Sequence, residues 1–265
     1  ESIKLGDTNK YSRFNRILFD HPELIDDFPS LYPKDPVILF DAAVESRNLS
    51  NTEGKKTKTI SLFEFVESMK NGSMDYARLL PLLDQHPELL NDMGVEWLKS
   101  ASNNCAKRSI KHQLFMGGPR TSTQMHCAIG SNLFIQIYGR KKWWIYSNKY
   151  SPLLEPIVDR SVFFRSKENA EKPECKFQKA DGWNVTLEPG DILYNPLFFW
   201  HQTRSIYINI GVGFRWFSLS SILKVSPAQF LMKITASNPS VRQAKKVNQN
   251  FAKVYADLLE KEKKK

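Results

Sequence analysis

Two of the five histidines in this chain lie beside strand-like runs, where their side chains could bind a metal. His126 stands in "TQMHCAIGSN" (123–132), just before the most strand-like run, and His201 stands in "NPLFFWHQTRS". An inward His-x-Asp or His-x-Glu pair with a distant second histidine is the ligand set of a non-haem Fe(II) oxygenase. Side chains at i and i+2 share one face of a strand, so Ala128 holds the position of the carboxylate. The sequence supplies two histidines of such a set and lacks its acid.

The other histidines and the cysteines indicate no further metal site. Three histidines in loop-like or helical contexts, without nearby ligand types, are interpreted as structural or solvated: His21, His86 and His112. The cysteines are too few and too scattered for a disulfide framework and form no CxxC pair: Cys105, Cys127 and Cys175. If His126 points inward, Cys127 points away from it and is expected to be structural. This cysteine usage favours a reducing compartment, and we expect a cytoplasmic protein.

Short β-branched and aromatic runs from about residue 110 predict the strands that hold the two histidines. Gly, Pro, Asn and Asp separate these runs, as is typical of an antiparallel barrel or sandwich: "HQLFMGG", "NLFIQIYG", "KKWWIYS", "NVTLEPGDILYNP" and "SIYINIGVGFRWFSL". Before them, Ser61 and Glu64 have the spacing of a capping box that begins a helix, which is expected to stop at Gly72. The stretch "YARLLPLLDQHPELLNDMGVEWLKSA" has helical spacing interrupted by two prolines, and predicts two or three short helices.

The order of these elements predicts the fold class. Mixed helix and strand come first, then a β core, then helices, and this segregation favours α+β over a parallel α/β sheet. We expect an N-terminal region of mixed helix and strand (1–105) that packs on the core, a β core (106–218) and a basic helical C-terminal region (219–265).

Composition and charge exclude several classes of protein. The chain of 265 residues is 41% apolar and 12% aromatic, which suffices for a well-buried core. No stretch approaches the length of an uncharged membrane span, so no membrane partner is expected. Residues 224–265 hold ten basic and three acidic residues, and so account for most of the net charge of +10. We interpret this tail as a solvated helix end, and nucleic acid is not expected as a partner.

Several motifs in register resemble one family. "HPELLNDMGVEWL", "LFMGGPRTSTQMHCA", "NLFIQIYGRKKWWIYS" and "LEPGDILYNPLFFWHQT" are similar to signatures of the cupin-type, JmjC-like Fe(II)/2-oxoglutarate oxygenases. The likeness covers about residues 60 to 216, and the motifs are specific in combination. It implies a double-stranded β-helix (cupin, jelly-roll) core flanked by N-terminal and C-terminal helices.

Carried over residue by residue, the resemblance implies a complete site apart from the acid. His126 and His201 would be iron ligands, with 2-oxoglutarate and O2 as cosubstrates. Lys141 would pair the distal carboxylate of 2-oxoglutarate, with the next lysine along the chain as the alternative. Thr123 would donate a hydroxyl to that carboxylate, and Asn132 would lie near the cosubstrate. A dicarboxylate in a barrel needs a buried cation and a hydroxyl donor, because its desolvation is otherwise not offset.

Three positions depart from the family pattern. Gly213 stands where members often carry Asn, and Arg215 stands on the same face, where an aromatic is common. Arg215 could hold an anionic group of substrate or cosubstrate, or form a rim salt bridge. Ala128 is the larger departure, because the radical halogenases of the Fe(II)/2-oxoglutarate class carry His-x-Ala or His-x-Gly and place chloride or bromide in the space. The first hypothesis is therefore a halogenase; the alternatives are a hydroxylase whose gap is filled by water or a remote carboxylate, and an inactive binding module.

The sequence limits the substrate and partner to broad classes. Residues 159–182 form a long polar insertion between core strands, of the kind that often lines a barrel mouth. Its Arg160, Arg165 and Lys167 could meet an anionic substrate, but we interpret the segment as a solvated loop. We expect a substrate that is a small molecule or resembles an amino acid or nucleoside, and a homodimer formed through the C-terminal helices.

Overall fold

The structure is a computed structural model that describes residues 3–4, 36–40, 58–80, 82–91, 111–127, 130–157, 164–216, 219–237, 240 and 242. Its strands are β1 (Ile3–Lys4), β2 (Pro36–Phe40), β3 (Lys58–Ser61), β4 (Tyr76–Leu80), β5 (Lys111–Gly117), β6 (Ser122–Cys127), β7 (Ser131–Tyr138), β8 (Lys141–Tyr146), β9 (Phe164–Arg165), β10 (Gly182–Leu187), β11 (Asp191–Asn195), β12 (Trp200–Ser205) and β13 (Asn209–Trp216). Its α-helices are α1 (Leu62–Lys70), α2 (Leu82–Gln85), α3 (Glu88–Asn91), α4 (Leu219–Val225) and α5 (Pro227–Ile234). Two 3-10 helices span Asn148–Leu154 and Lys176–Lys179.

The strands form two antiparallel sheets. The larger sheet has the order β1-β11-β7-β13-β5-β4-β2-β3, and the smaller sheet has the order β10-β8-β12-β6-β9. Within residues 111–216, strands β5 to β8 lie alternately in the larger and the smaller sheet, β9 and β10 follow in the smaller sheet, and β11, β12 and β13 alternate again. This is the connectivity of a double-stranded β-helix. The predicted α+β class with a jelly-roll core is confirmed.

Separate apolar clusters cover the outer face of each sheet and fill the space between them. Helix α1 buries Leu62, Phe65, Val66 and Met69 in the cluster that includes Leu133, Ile135 and Val212 of the larger sheet. The smaller sheet buries its outer residues against the first 3-10 helix, residues 166–180 and α4. Between the sheets, the rings of Phe134 and Trp143 lie 5.0 Å apart. These rings pack the two sheets against each other, and polar residues of β6, β8 and β12 face the same interior.

The capping box and the terminal glycine predicted for α1 are both present. The Glu64 amide donates to Ser61 Oγ at 3.2 Å, and the Ser61 amide donates to Glu64 Oε2 at 2.8 Å, so both halves of the capping box are present. The helix ends before Gly72, whose φ of +83° lies in the left-handed region that glycine adopts without a side-chain clash. The predicted helix from Ser61 to Gly72 is confirmed.

The helical prediction for the next stretch is wrong at its start. Tyr76–Leu80 forms β4, which pairs with β5 and with β2, and two short helices, α2 and α3, follow it. Pairing with two neighbouring strands outweighs helical spacing here, because only five residues precede the break at Pro81. His112 is also on a strand, in register with Phe214, rather than in a loop or helix. No helix in the described ranges is long and apolar enough to cross a membrane.

Candidate functional site

The two predicted iron ligands lie side by side on adjacent strands. His126 of β6 and His201 of β12 are register partners, and their ring centroids are 4.1 Å apart. Register partners in an antiparallel pair point to the same face, and both rings face the space between the sheets. His201 is 3% exposed. Two imidazoles from residues 75 positions apart in sequence are thus brought together by strand pairing.

Hydrogen bonds at one nitrogen of each ring fix the ring orientation. His126 Nδ1 lies 2.7 Å from the Gln124 carbonyl oxygen. A carbonyl only accepts, so this nitrogen carries the proton and leaves the Nε2 lone pair available to a metal. His201 Nδ1 lies 3.3 Å from the Phe199 carbonyl oxygen, which requires a protonated Nδ1 as in His126, and the Asn195 side-chain amide lies 3.1 Å from the same nitrogen. This is the arrangement of metal-binding histidines, whose second nitrogen is held by the protein.

The electrostatic surroundings keep His201 neutral. Burial lowers the pKa of His201 well below its ordinary value of 6.5, and the neighbouring His126 and Arg215 lower it further. The Phe199 carbonyl acts in the opposite direction without reversing the shift. A histidine must be neutral to bind a metal. His201 therefore meets the electronic requirement for a ligand near neutral pH.

Six of the seven predicted site residues line one cavity of about 160 Å³ between the sheets: Thr123, His126, Asn132, Lys141, His201 and Arg215. The other lining residues are Tyr76, Phe115, Gln124, Phe134, Trp143, Arg165 and Thr203. The seventh predicted residue, Ala128, lies outside the described residues. The predicted cofactor and metal side chains thus converge on a single space with contributions from both sheets.

A β-bulge allows Thr123 and His126 to share this cavity. Three steps separate them on β6, so strict alternation would put them on opposite faces. On the partner strand, Thr203 and His201 are their register partners and are only two residues apart. The extra residue in β6 shifts the alternation by one. The Thr203 amide then donates to Thr123 Oγ1 at 3.1 Å, and the two hydroxyl oxygens lie 3.0 Å apart.

The structure distinguishes Lys141 from its neighbour Lys142. Lys141 is 2% exposed, and its Nζ lies 5.5, 5.8 and 5.3 Å from the ring centroids of Tyr76, Phe115 and Phe134. Lys142 is only partly buried and places its Nζ 4.9 Å from the Trp144 ring, which belongs to the outer cluster of the smaller sheet. Strand alternation sends consecutive lysines to opposite faces. Lys141 is therefore the cation at the deep end of the cavity.

Asn132 supplies a polar atom that the protein leaves without a hydrogen bond. The residue is 3% exposed, and its Oδ1 has no hydrogen-bond partner. A Cβ at Gly213 would lie 3.0 Å from this oxygen and 3.3 Å from Phe115 Cε2. A side chain at position 213 would therefore crowd Asn132 and Phe115, which agrees with glycine at this position. A buried acceptor of this kind is expected to meet a ligand.

Two pocket features were missed or misjudged from the sequence. Arg165 was assigned to a solvated loop, but it lies on β9 as the register partner of His126, is 3% exposed and lines the cavity. The arginine ends the apolar run "VFF", which was an available signal for a short buried strand. Asn195, fully buried beside His201, had no sequence signal beyond its place before Pro196. Both positions depend on contacts between strands that are distant in sequence.

The residues present fit an iron site held by two histidines. No group of three potential His, Cys, Asp or Glu ligands occurs among the residues that the structure describes. Glu155, the nearest acid downstream of His126, pairs with Lys176 and does not line the cavity. Cys127 points into the outer cluster, as predicted, and its thiol donates to the Phe198 carbonyl at 3.1 Å. Burial also raises the pKa of the Cys127 thiol, which disfavours the thiolate form that binds metals.

A jelly-roll core with two inward histidines and a buried lysine defines a protein of the cupin class. Residues 20–221 match the cupin-like domain family, and the chain belongs to that family. Its relatives include human HSPB1-associated protein 1, which is 32% identical over 186 residues, or 64% of this chain and 37% of that protein. JmjC domain-containing protein D of Dictyostelium discoideum is 27% identical over 175 residues, or 58% of this chain and 39% of that protein.

A further relative is named as a demethylase. Lysine-specific demethylase 8 of Danio rerio is 26% identical over 167 residues, which cover 60% of this chain and 41% of that protein. The matched regions span less than half the length of each of these three relatives. The JmjC-like resemblance inferred from the motifs is confirmed at the level of the family.

Proposed function

We propose that this chain is an Fe(II)- and 2-oxoglutarate-dependent oxidative enzyme. The observation that carries the proposal is the cavity that His126 of β6, His201 of β12 and the buried Lys141 of β8 line together. Ser205, the register partner of Lys141, lies four residues beyond His201 on β12. Four strand residues span roughly 13 Å. A lysine side chain and a five-carbon dicarboxylate can bridge that distance together.

The side chains have distinct tasks in this proposal. His126 and His201 would hold the iron through their Nε2 atoms, because both Nδ1 atoms donate to backbone carbonyls. Lys141 would bind the distal carboxylate of 2-oxoglutarate, and Thr123 would donate its hydroxyl to the same group. Asn132 would offer its unsatisfied oxygen to a donor beside the cosubstrate. Trp143 stacks 5.6 Å from His201 and helps to exclude water from this end of the cavity.

Iron and 2-oxoglutarate together would supply activation of O2, with loss of CO2 to give succinate and replacement of a substrate hydrogen. The finer proposal is that a halide replaces this hydrogen. Its support is the His-x-Ala sequence at 126–128 and the lack of Asp or Glu among the described residues that line the cavity. A methyl side chain leaves room beside the metal, and chloride or bromide would restore the negative charge that a carboxylate normally provides. A hydroxylase with water at this position is the alternative to be tested.

Binding spectra test the general proposal. Anaerobic addition of Fe(II) and 2-oxoglutarate should produce the visible charge-transfer absorption of a chelated complex, and His201→Leu should abolish it. Tyr194→Phe, at an exposed position of β11 in the larger sheet, is the control and should keep the band. Absence of the band in the unchanged protein would contradict the proposed cofactors and favour a binding module.

The response of this absorption band to added halide tests the proposal that a halide replaces the substrate hydrogen. Chloride or bromide should perturb the band, and Ala128→Asp should remove this response because the carboxylate would take the halide's place. Ala128→Gly should retain it. A band that ignores halide in the unchanged protein would favour the hydroxylase.

A further inference from the structure

Two threonine hydroxyls meet in the cavity, between Lys141 and the histidines. Thr203 of β12 and Thr123 of β6 are register partners, and both line the cavity. Along β12, Thr203 lies two residues from His201 on one side. On the other side it lies two residues from Ser205, the register partner of Lys141. Two strand residues span about 7 Å, so the hydroxyl pair stands along the path of a ligand that reaches from the histidines to the lysine.

The hydrogen bonds of this pair can be counted atom by atom. The Thr203 amide donates to Thr123 Oγ1 at 3.1 Å, and the two hydroxyl oxygens lie 3.0 Å apart. A hydroxyl has one proton to donate and two positions at which it accepts. The Thr203 amide fills one accepting position of Thr123 Oγ1, and the Thr203 hydroxyl can fill the other. When the Thr203 hydroxyl donates in this way, the proton of Thr123 is directed away from Thr203.

The burial of the two side chains favours this direction of donation. Thr203 is 4% exposed, whereas Thr123 is only partly buried. The more exposed hydroxyl is the one that a ligand in the cavity can reach, and the more buried one donates to it. With both of its accepting positions filled, Thr123 can only donate. Such a group suits a carboxylate oxygen, which only accepts.

We propose that Thr203 is a positioning residue, which fixes Thr123 as an obligate donor to the distal carboxylate of 2-oxoglutarate. The inference rests on the proposed function for the identity of that ligand. The Thr203 hydroxyl acts through Thr123 and does not itself contact the carboxylate. The opposite direction of donation would turn an accepting position of Thr123 toward the anion and weaken its binding. Thr203 thereby adds to the selectivity of the cavity for a ligand with an acceptor at this position.

Calorimetric titration of 2-oxoglutarate into the full chain, with Fe(II) and without oxygen, tests this inference. Thr203→Val keeps the branched shape and the backbone amide but removes the hydroxyl. It should raise the Kd about three- to tenfold, which is the effect of one hydrogen bond between neutral groups. Thr203→Ser keeps the hydroxyl and should bring the Kd to within about twofold of that of the unchanged protein. Should Thr203→Val not fold, Thr203→Ala, which also lacks the hydroxyl, takes its place.

A double variant separates a positioning role from a direct contact. Thr123→Val should raise the Kd about tenfold or more, because it removes the donor to a charged group. Since Thr203 acts through Thr123, adding Thr203→Val to Thr123→Val should have no further effect on the Kd. Independent effects of the two substitutions would show that Thr203 contacts the ligand itself, and would overturn the inference.

Thr186→Val is the matched control. Thr186 is the register partner of Lys142, whose Nζ lies against Trp144 in the outer cluster of the smaller sheet. This substitution should leave the Kd unchanged, and a rise equal to that of Thr203→Val would also count against the inference. If the unchanged protein binds 2-oxoglutarate and Thr203→Val binds it equally well, the inference alone fails. If the unchanged protein does not bind 2-oxoglutarate, the proposed function fails and the inference fails with it.

Discussion

Replacing Lys141 by methionine separates its proposed role in binding from its role in packing. The ammonium group lies among three aromatic rings and is 2% exposed. Methionine has a similar length and an apolar surface that suits those rings. Only the charge and its hydrogen bonds are lost, so the substitution isolates the interaction with a carboxylate.

The structure sets the expected magnitudes. A hydrogen bond to a charged group contributes about 1.5–3 kcal/mol, so Lys141→Met should raise the Kd for 2-oxoglutarate roughly 10- to 150-fold. The free energy of unfolding of the ligand-free protein should change by less than about 1.5 kcal/mol, because methionine keeps the volume of the side chain and its contacts with the three rings. Most core substitutions lower stability, so a loss of affinity without a loss of stability would be diagnostic.

The assay pairs calorimetric titration of 2-oxoglutarate with urea unfolding, for Lys141→Met and for Lys142→Met. Lys142 lies on the other face, against Trp144, and its substitution should change neither quantity by more than about 0.5 kcal/mol. An unchanged Kd in Lys141→Met, or an equal loss in Lys142→Met, would refute the assignment of Lys141 to the cosubstrate carboxylate.

Three further predictions concern the residues around this pocket. The pKa of His201 is depressed in the folded protein, so the contribution of this histidine to stability is complete above pH 6.5 and is lost as the pH falls below 6.5. The urea midpoint should therefore fall more steeply between pH 6.5 and 5 in the unchanged protein than in His201→Leu. Gly213→Asn should lower the free energy of unfolding by about 1–3 kcal/mol in the same assay, because Asn132 already occupies the space. An unchanged free energy of unfolding would show that Asn132 can move aside. Asn195→Leu should weaken Co(II) binding about 10- to 100-fold and alter the Co(II) absorption spectrum, because the ring of His201 loses a partner. Tyr194→Phe should change neither the affinity nor the spectrum. Identical spectra in the unchanged protein and in both variants would exclude a positioning role for Asn195.

The sequence was most informative where local rules apply. Alternation along β6 correctly sent Cys127 away from the histidines, since consecutive side chains on a strand must point to opposite faces. The choice between Lys141 and Lys142 stayed open in the sequence, and the structure places only Lys141 in the cavity. The capping box and Gly72 fixed the ends of α1 for the same kind of reason, because they satisfy backbone groups within a few residues.

Other features depended on contacts between distant strands. Tyr76–Leu80 has helical spacing but pairs as a strand, and Arg165 lies in a polar stretch but is drawn into the cavity by pairing with β6. Thr123 shares a face with His126 only because β6 carries one residue more than β12 between the paired positions. The spacing of residues along the chain contains no information on such a mismatch between two strands.

The sequence by itself thus indicated the family and singled out the two histidines, and the replacement of the acid by Ala128 stays a prediction. Tertiary structure decided that one lysine, two arginines and an asparagine line the same cavity as the two histidines. The physical reason is that alternation and capping are satisfied within a single element. The charge of a cavity, in contrast, is the sum of side chains that eight strands bring together from residues 76 to 215.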